Sequence, residues 1–224
     1  MVAMEKYIDA LLKRYPILED NRRQLMDAYE LLEKCYAHKG KLLIAGNGGS
    51  ASDADHIVGE LMKGFRRPRR MEKELADKLR RQDNSLGNEL AKKLQCGLPA
   101  IALSNHNSLN TAFLNDVDGN MCFAQQILGY GGAGDSFLGI STSGNSRNIL
   151  FAAVVAKAKG LSVIGLTGKG GGRLSEFTDV LIDVAERETY KIQELHMPIY
   201  HCLCLALEDS FFGEDRSCRK KEEE

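Results

Sequence analysis

The chain lacks four signals that would place it elsewhere. No apolar run approaches the ~18 residues needed to span a bilayer, and the N-terminus Met1-Val2-Ala3-Met4-Glu5-Lys6 has no apolar core of a secretory signal. None of the six cysteines stands in a CxxC pair, so the usual spacing of a redox or metal couple is missing and reduced thiols in a cytoplasm are expected. Net charge is only -1, and the basic residues are scattered apart from Arg66-Arg67-Pro68-Arg69-Arg70. That excludes an electrostatic grip on nucleic acid or anionic lipid and leaves a small polar substrate. The hydrophobic content of 43% with 27% charge over 224 residues is that of a globular protein with one sizeable core.

What is present is organised around Leu138-Gly139-Ile140-Ser141-Thr142-Ser143-Gly144-Asn145-Ser146-Arg147-Asn148. An apolar run from Phe137 to Ile140 stops at three hydroxyl residues and is followed by an alanine-rich helical pattern, so the stretch reads as strand, polar loop, helix. The first turn of a helix has N–H groups without intrahelical partners and about half a positive charge, which suits an anion. No lysine follows as in a nucleotide-binding P-loop, so the guest this chemistry suits is a sugar phosphate rather than ATP. The same hydroxyls would equally serve as helix caps.

A second junction of this kind is Lys41-Leu42-Leu43-Ile44-Ala45 followed by Gly46-Asn47-Gly48-Gly49-Ser50. It is neither GxGxxG nor GxxxxGK[ST], which argues against a dinucleotide or a nucleoside triphosphate. Ser50 is placed to cap a helix from about Ala51 to Lys63. On that helix His56 and Glu60 are four apart and share a face, where they could bind a metal, move protons or simply bond each other.

Ahead of these elements, residues 1–39 show amphipathic helical spacing divided by Pro16. Residues 66–97 change composition to a basic run and two short, highly charged helices around Arg81-Gln82-Asp83-Asn84-Ser85. They are expected to form a surface excursion or to lie over a site mouth, with the basic run solvated. Strands are predicted at 98–103, 137–140, 161–167 and 180–184. With the one at 41–45 they give an α/β fold: a doubly wound, mostly parallel, five-stranded sheet flanked by helices, flavodoxin-like, with an N-terminal helical segment. Ligands then sit beyond the carboxyl ends of the strands. Pro198 should kink a last helix running from near Thr189 to Phe212 or lie near its first turn. On that helix Gln193 and His196 are neighbours, and His201 is about 12 Å from Gln193. Cys202 and Cys204 read as buried thiols. A single domain over 1–213 and a disordered charged tail over 214–224 complete the expectation.

These segments together resemble the SIS (sugar isomerase) domain family, and within it the phosphoheptose isomerases. The matching stretches are Gly46–Ser50 with His56 and Glu60, Asn115-Asp116, Ser141–Ser146, Leu166-Thr167-Gly168-Lys169, and Ile192–His196 with His201. The resemblance implies interconversion of sedoheptulose 7-phosphate and D-glycero-D-manno-heptose 7-phosphate through an enediol. It implies that Asn47, Gly48, Gly49, Glu60, Asn115, Asp116, Ser141, Thr142, Ser143, Ser146 and Gln193 contact the sugar phosphate. It implies further that His56, Glu60, Gln193 and His201 hold one zinc per subunit, that Glu60 and His201 transfer the protons, and that the chain forms homotetramers with sites at subunit interfaces. The rival readings are a non-catalytic SIS module that senses sugar phosphates or associates with a replication initiator, and an isomerase of another phosphosugar. The long 66–97 segment is the main argument for the last.

Overall fold

A computed structural model describes residues 2–213. The sheet contains β1 (Leu42–Ala45), β2 (Ala100–Ala102), β3 (Ser136–Ser141), β4 (Ser162–Thr167) and β5 (Val180–Asp183). Their order is β2-β1-β3-β4-β5, parallel at every pairing. That order reverses between β1 and β3, the switch point beside which ligands of such sheets bind. The strands are apolar on both sides because both faces are covered. Leu42, Ile44, Leu138 and Ile140 face one core, whereas Leu43, Ala45 and Phe137 face the other.

The first core is closed by α1 (Val2–Arg14), α2 (Arg22–Ala37), α3 (Gly49–Met62) and the long last helix, α9 (Thr189–Phe212). The second is closed by α7 (Cys122–Tyr130) and α8 (Arg147–Ala158). Pro16 opens a short 3-10 turn between α1 and α2, while Pro198 lies inside α9 rather than at its start. The 214–224 tail lies outside the described residues.

The charged excursion is a hairpin of α4 (Lys73–Gln82) and α5 (Asn84–Lys93), whose Leu75, Leu86 and Leu94 are exposed. Its two ends are zipped together. Cys96 N donates to Arg69 O at 2.9 Å, and Gly64 N donates to Gln95 Oε1 at 2.8 Å.

The basic run preceding it is not wholly solvated, as its composition suggested: Arg69 is 1% exposed. Its Nε donates to Glu208 of α9 at 2.9 Å, and its remaining nitrogens donate to the carbonyls of Leu61 and Glu60 at the end of α3. The Phe212 ring lies 4.6 Å beneath the guanidinium. Glu208 also accepts from the amides of Phe65, Arg66 and Arg67. A buried guanidinium is tolerated here because every face of it finds an acceptor or a π-face. The excursion is thereby pinned at the end of α3 remote from the glycine loop.

Candidate active site

The glycine loop after β1 and the hydroxyl loop after β3 stand on either side of the switch point. They are tied together by a reciprocal amide pair: Asn47 Nδ2 donates to Asn148 Oδ1 at 3.0 Å, and Asn148 Nδ2 donates to Asn47 Oδ1 at 2.8 Å. Asn148 was not singled out by spacing, because its partner is 101 residues away.

Neither loop caps its helix with a side chain. Gly48, with φ 54°, precedes α3 and Ser50 is buried in the first turn, so Ser50 is not the cap that sequence suggested. Ser146 precedes α8 without a side-chain cap; its hydroxyl instead accepts from Ser141 at 3.0 Å. The hydroxyl loop is braced from behind by the loop after β4. Gly168 N donates to Thr142 O at 3.0 Å, and Leu174 N donates to Gly144 O at 2.9 Å. Gly144 has φ 65°, and a Cβ there would lie 1.9 Å from Gly171 O, so only glycine permits this close approach.

α3, which leaves the glycine loop, and α9, which follows β5, run side by side in the same direction. At one end Gln193 packs against Gly49, where a Cβ would lie 2.7 Å from Gln193 Nε2. Two turns on, His56 meets His201, and at the far end Arg69 joins the Glu60 and Leu61 carbonyls to Glu208.

In the middle stands a cluster assembled from both helices. His56 Nε2 is 3.3 Å from Glu60 Oε1 and 3.5 Å from His201 Nε2. The carboxyl group of Glu60 is largely buried, 13% exposed. His201 titrates below the usual histidine range, first because burial disfavours its charge and then because His56 is beside it; Arg14 adds to this and Glu60 opposes it. The His201 ring also lines a cavity of 340 Å³ between α1 and α9, shared with Tyr7, Arg14, Tyr15 and Glu194.

His196, closer to Gln193 in sequence, belongs to the core instead. It is fully buried, bonded through Nε2 to Thr167 O at 3.3 Å, and burial lowers its pKa to about 4. Cys202 and Cys204 are buried as expected, and burial pushes the Cys202 thiol up to about 12. Asn115 and Asp116 close the last turn of α6 (Asn107–Asp116), exposed and bonded to each other.

Two imidazoles and a carboxylate suit a zinc-like ion in type. Bonds of about 2.0–2.1 Å in a tetrahedron put ligand atoms roughly 3.3 Å apart, which matches the two spacings around His56 Nε2. Glu60 Oε2 is buried without a hydrogen bond, and Lys63 Nζ stands 3.9 Å from it. Among the described residues no three His, Cys, Asp or Glu side chains close around one point, and Gln193 is held at Gly49. The fit is therefore one of donor type and of two edges.

A parallel sheet with polar loops at its switch point, beside a histidine–glutamate cluster held between α3 and α9, has the layout of a ligand-binding α/β protein. A SIS domain model matches residues 84–168. The phosphoheptose isomerase of Burkholderia pseudomallei (strain 1710b) is 38% identical over 198 residues, 86% of each chain. Phosphoheptose isomerase 2 of Campylobacter jejuni (strain ATCC 700819 / NCTC 11168) is 37% identical over 96% of this chain and 94% of its own. The solved structure of the phosphoheptose isomerase of Neisseria gonorrhoeae superposes with a TM-score of 0.69 at 32% identity, covering 92% of this chain and 94% of that one. The chain belongs to the phosphoheptose isomerase family.

Proposed function

We propose that this protein converts sedoheptulose 7-phosphate to D-glycero-D-manno-heptose 7-phosphate. The observation that carries the reading is the convergence of His56, Glu60 and His201 from two helices 145 residues apart in sequence. A binding module has no use for an acid–base cluster beside its phosphate loops.

Ser141, Thr142, Ser143 and Ser146 hold the phosphate, and Asn47, Gly48, Gly49 and Gln193 hold the adjoining sugar. Glu60 takes a proton from C1 of the ketose while His201 gives one to the carbonyl oxygen, forming the enediol. Glu60 then returns its proton to C2 and His201 recovers one from the C1 hydroxyl, leaving the aldose. A neutral His201 suits this exchange, and its lowered pKa keeps it neutral at pH 7. His56, Glu60, His201 and Gln193 are the residues that would hold zinc, which when bound supplies Lewis-acid polarisation of the sugar carbonyl.

A cytoplasmic homotetramer with sites shared between subunits completes the reading. It is supported by the outward position of Asn115 and Asp116, and by exposed Val117, Met121, Leu128 and Val154 on the same side, which line an apolar hollow that a second copy would cover. No helix among the described residues is long and apolar enough to cross a membrane.

The test is to incubate the protein, chelated or supplied with zinc, with five-, six- and seven-carbon ketose phosphates and follow aldose formation. Conversion of the heptulose alone is expected. Preference for a pentulose or hexulose phosphate, or no aldose from any substrate, overturns the proposal.

A further inference from the structure

The charged excursion encloses a ligand-sized space of its own. A hollow of 570 Å³ lies between α4, the end of α5 and the incoming residues 68–71, within the roughly 300–1,000 Å³ of small-molecule sites. The buried Arg69 forms part of its wall, so it sits at the end of α3 remote from the glycine loop and is separate from the cluster described above. Its charge is one-sided. Arg70, Lys73, Arg80, Lys92 and Lys93 line it, and no aspartate or glutamate does; Glu72, although next in sequence to Lys73, is not among the lining side chains. Part of this charge is already answered: Arg69 pairs with Glu208 at 2.9 Å, Arg80 with Asp77 at 2.7 Å, and Lys93 with Glu89. Arg70, Lys73 and Lys92 are exposed and have no ion pair among the described residues. The contrast lies within the same hairpin, where Lys78 finds Glu74 one turn away at 2.6 Å. A concave surface lined by one sign of charge focuses its field and draws in a counter-ion.

The rest of the lining is mostly apolar. Met71, Ala76, Ala91 and Leu94 supply it, with Pro68 at the edge. Ala76 is buried, whereas Leu94 is 50% exposed. The alanines on α4 and α5 keep the hollow open, since longer side chains at those positions would fill it. Gln95 also lines it. Its side-chain oxygen accepts from Gly64 N at 2.8 Å, which leaves its amide N–H groups as donors. A small inorganic anion would use the cations and leave this apolar surface wet. A ligand with both phosphates and a flat, weakly polar body uses the whole lining, which is the usual composition of a small-molecule site.

We propose that this hollow binds a nucleoside diphosphate: Arg70, Lys73 and Lys92 hold its two phosphate groups, and its base and ribose lie on the surface formed by Met71, Ala76, Ala91 and Leu94. The guanidinium of Arg70 can grip phosphate oxygens in pairs, while the two ammonium groups act as point charges. A diphosphate answers three cations better than a single phosphate does. The site stands apart from the glycine and hydroxyl loops, and it does not depend on the isomerase reading.

The experiment is isothermal titration of the full chain at low salt with magnesium-free ADP, with adenosine and pyrophosphate as its two halves and a poly-glutamate peptide as the competing class of ligand. One ADP per chain is expected, with a Kd at or below about 1 mM and tighter than either half. Replacing the three cations together, Arg70→Ser with Lys73→Ser and Lys92→Ser, should weaken ADP at least about 10-fold; all three side chains are exposed, so the fold should be kept. Ala91→Leu fills the hollow and keeps every charge, so it should weaken ADP and leave pyrophosphate binding unchanged. Gly144→Ala, in the hydroxyl loop, should leave ADP binding unchanged. No ADP binding, binding that survives the triple substitution, pyrophosphate held as tightly as ADP, or poly-glutamate held more tightly than ADP each overturns the proposal. So does loss of ADP binding in Gly144→Ala, which would place the nucleotide at the hydroxyl loop.

Discussion

Arg69 and Glu208 form an ion pair at 2.9 Å with side-chain exposures of 0% and 2%. They come from the start of the charged excursion and the end of α9, and they meet over the last turn of α3, whose Glu60 and Leu61 carbonyls take the remaining guanidinium protons. Removing either partner strands a buried charge, so Arg69→Met or Glu208→Leu should each cost about 3–5 kcal/mol. The double variant should cost less than the sum, because neither charge is then left alone. Urea unfolding of the three variants measures this; additive losses would show that the pair is not coupled.

Glu60 and His201 should be separable from the fold by their effect on rate. Glu60→Gln and His201→Ala are each expected to lower kcat by at least about 10²-fold, with thermal stability close to that of the parent. Both side chains line the cluster rather than the hydrophobic core. Unchanged turnover in both variants would contradict the assigned proton transfers.

Gly144 should set phosphate affinity. A Cβ there meets Gly171 O and the backbone φ is positive, so Gly144→Ala must displace the hydroxyl loop from its brace. About 1–3 kcal/mol of strain is expected at such a position, read as a raised KM for the phosphorylated sugar in steady-state kinetics. An unaltered KM would mean that the loop does not hold the substrate.

His196 gives stability a pH dependence. Its folded pKa is depressed to about 4 by burial, against an ordinary 6.5. Below the unfolded value the unfolded chain takes a proton that the folded ring refuses, so stability falls as pH drops from about 6.5 toward 4 and is unaffected by this group above that window. The loss approaches about 3 kcal/mol at the lower end. His196→Gln, which keeps a donor for the Thr167 carbonyl, should flatten the slope in urea titrations at pH 7, 6 and 5. An identical slope in the variant would assign it to other groups.

The strands and the two polar loops were legible because each is a local pattern: a short apolar run ending in glycine or hydroxyl residues. His56 and Glu60 were legible as a pair because helical spacing alone puts them on one face. Other features depended on distant partners. Arg69 reads as one basic residue among four until Glu208, 139 positions later, is folded onto it. Ser50 reads as a cap, yet Gly48 takes the turn. Tyr200, whose hydroxyl is 3.2 Å from Asp53 Oδ1, gave no motif, because a tyrosine in an apolar helical run looks like core until a carboxylate from another helix is placed beside its hydroxyl.

The sequence by itself therefore determined the α/β class, the parallel sheet, the polar loops that follow β1 and β3 and the residue types that can move a proton, since these follow from periodicity and from chemistry carried within a few residues. Tertiary structure supplied the physical reason for which histidine joins the cluster. On helical spacing His196 and His201 were both available, and only the family resemblance pointed to His201. The register of α9 against α3 and β4 buries the first against the Thr167 carbonyl and brings the second to His56, because two parallel helices packed on one sheet can present only one face of each to the other.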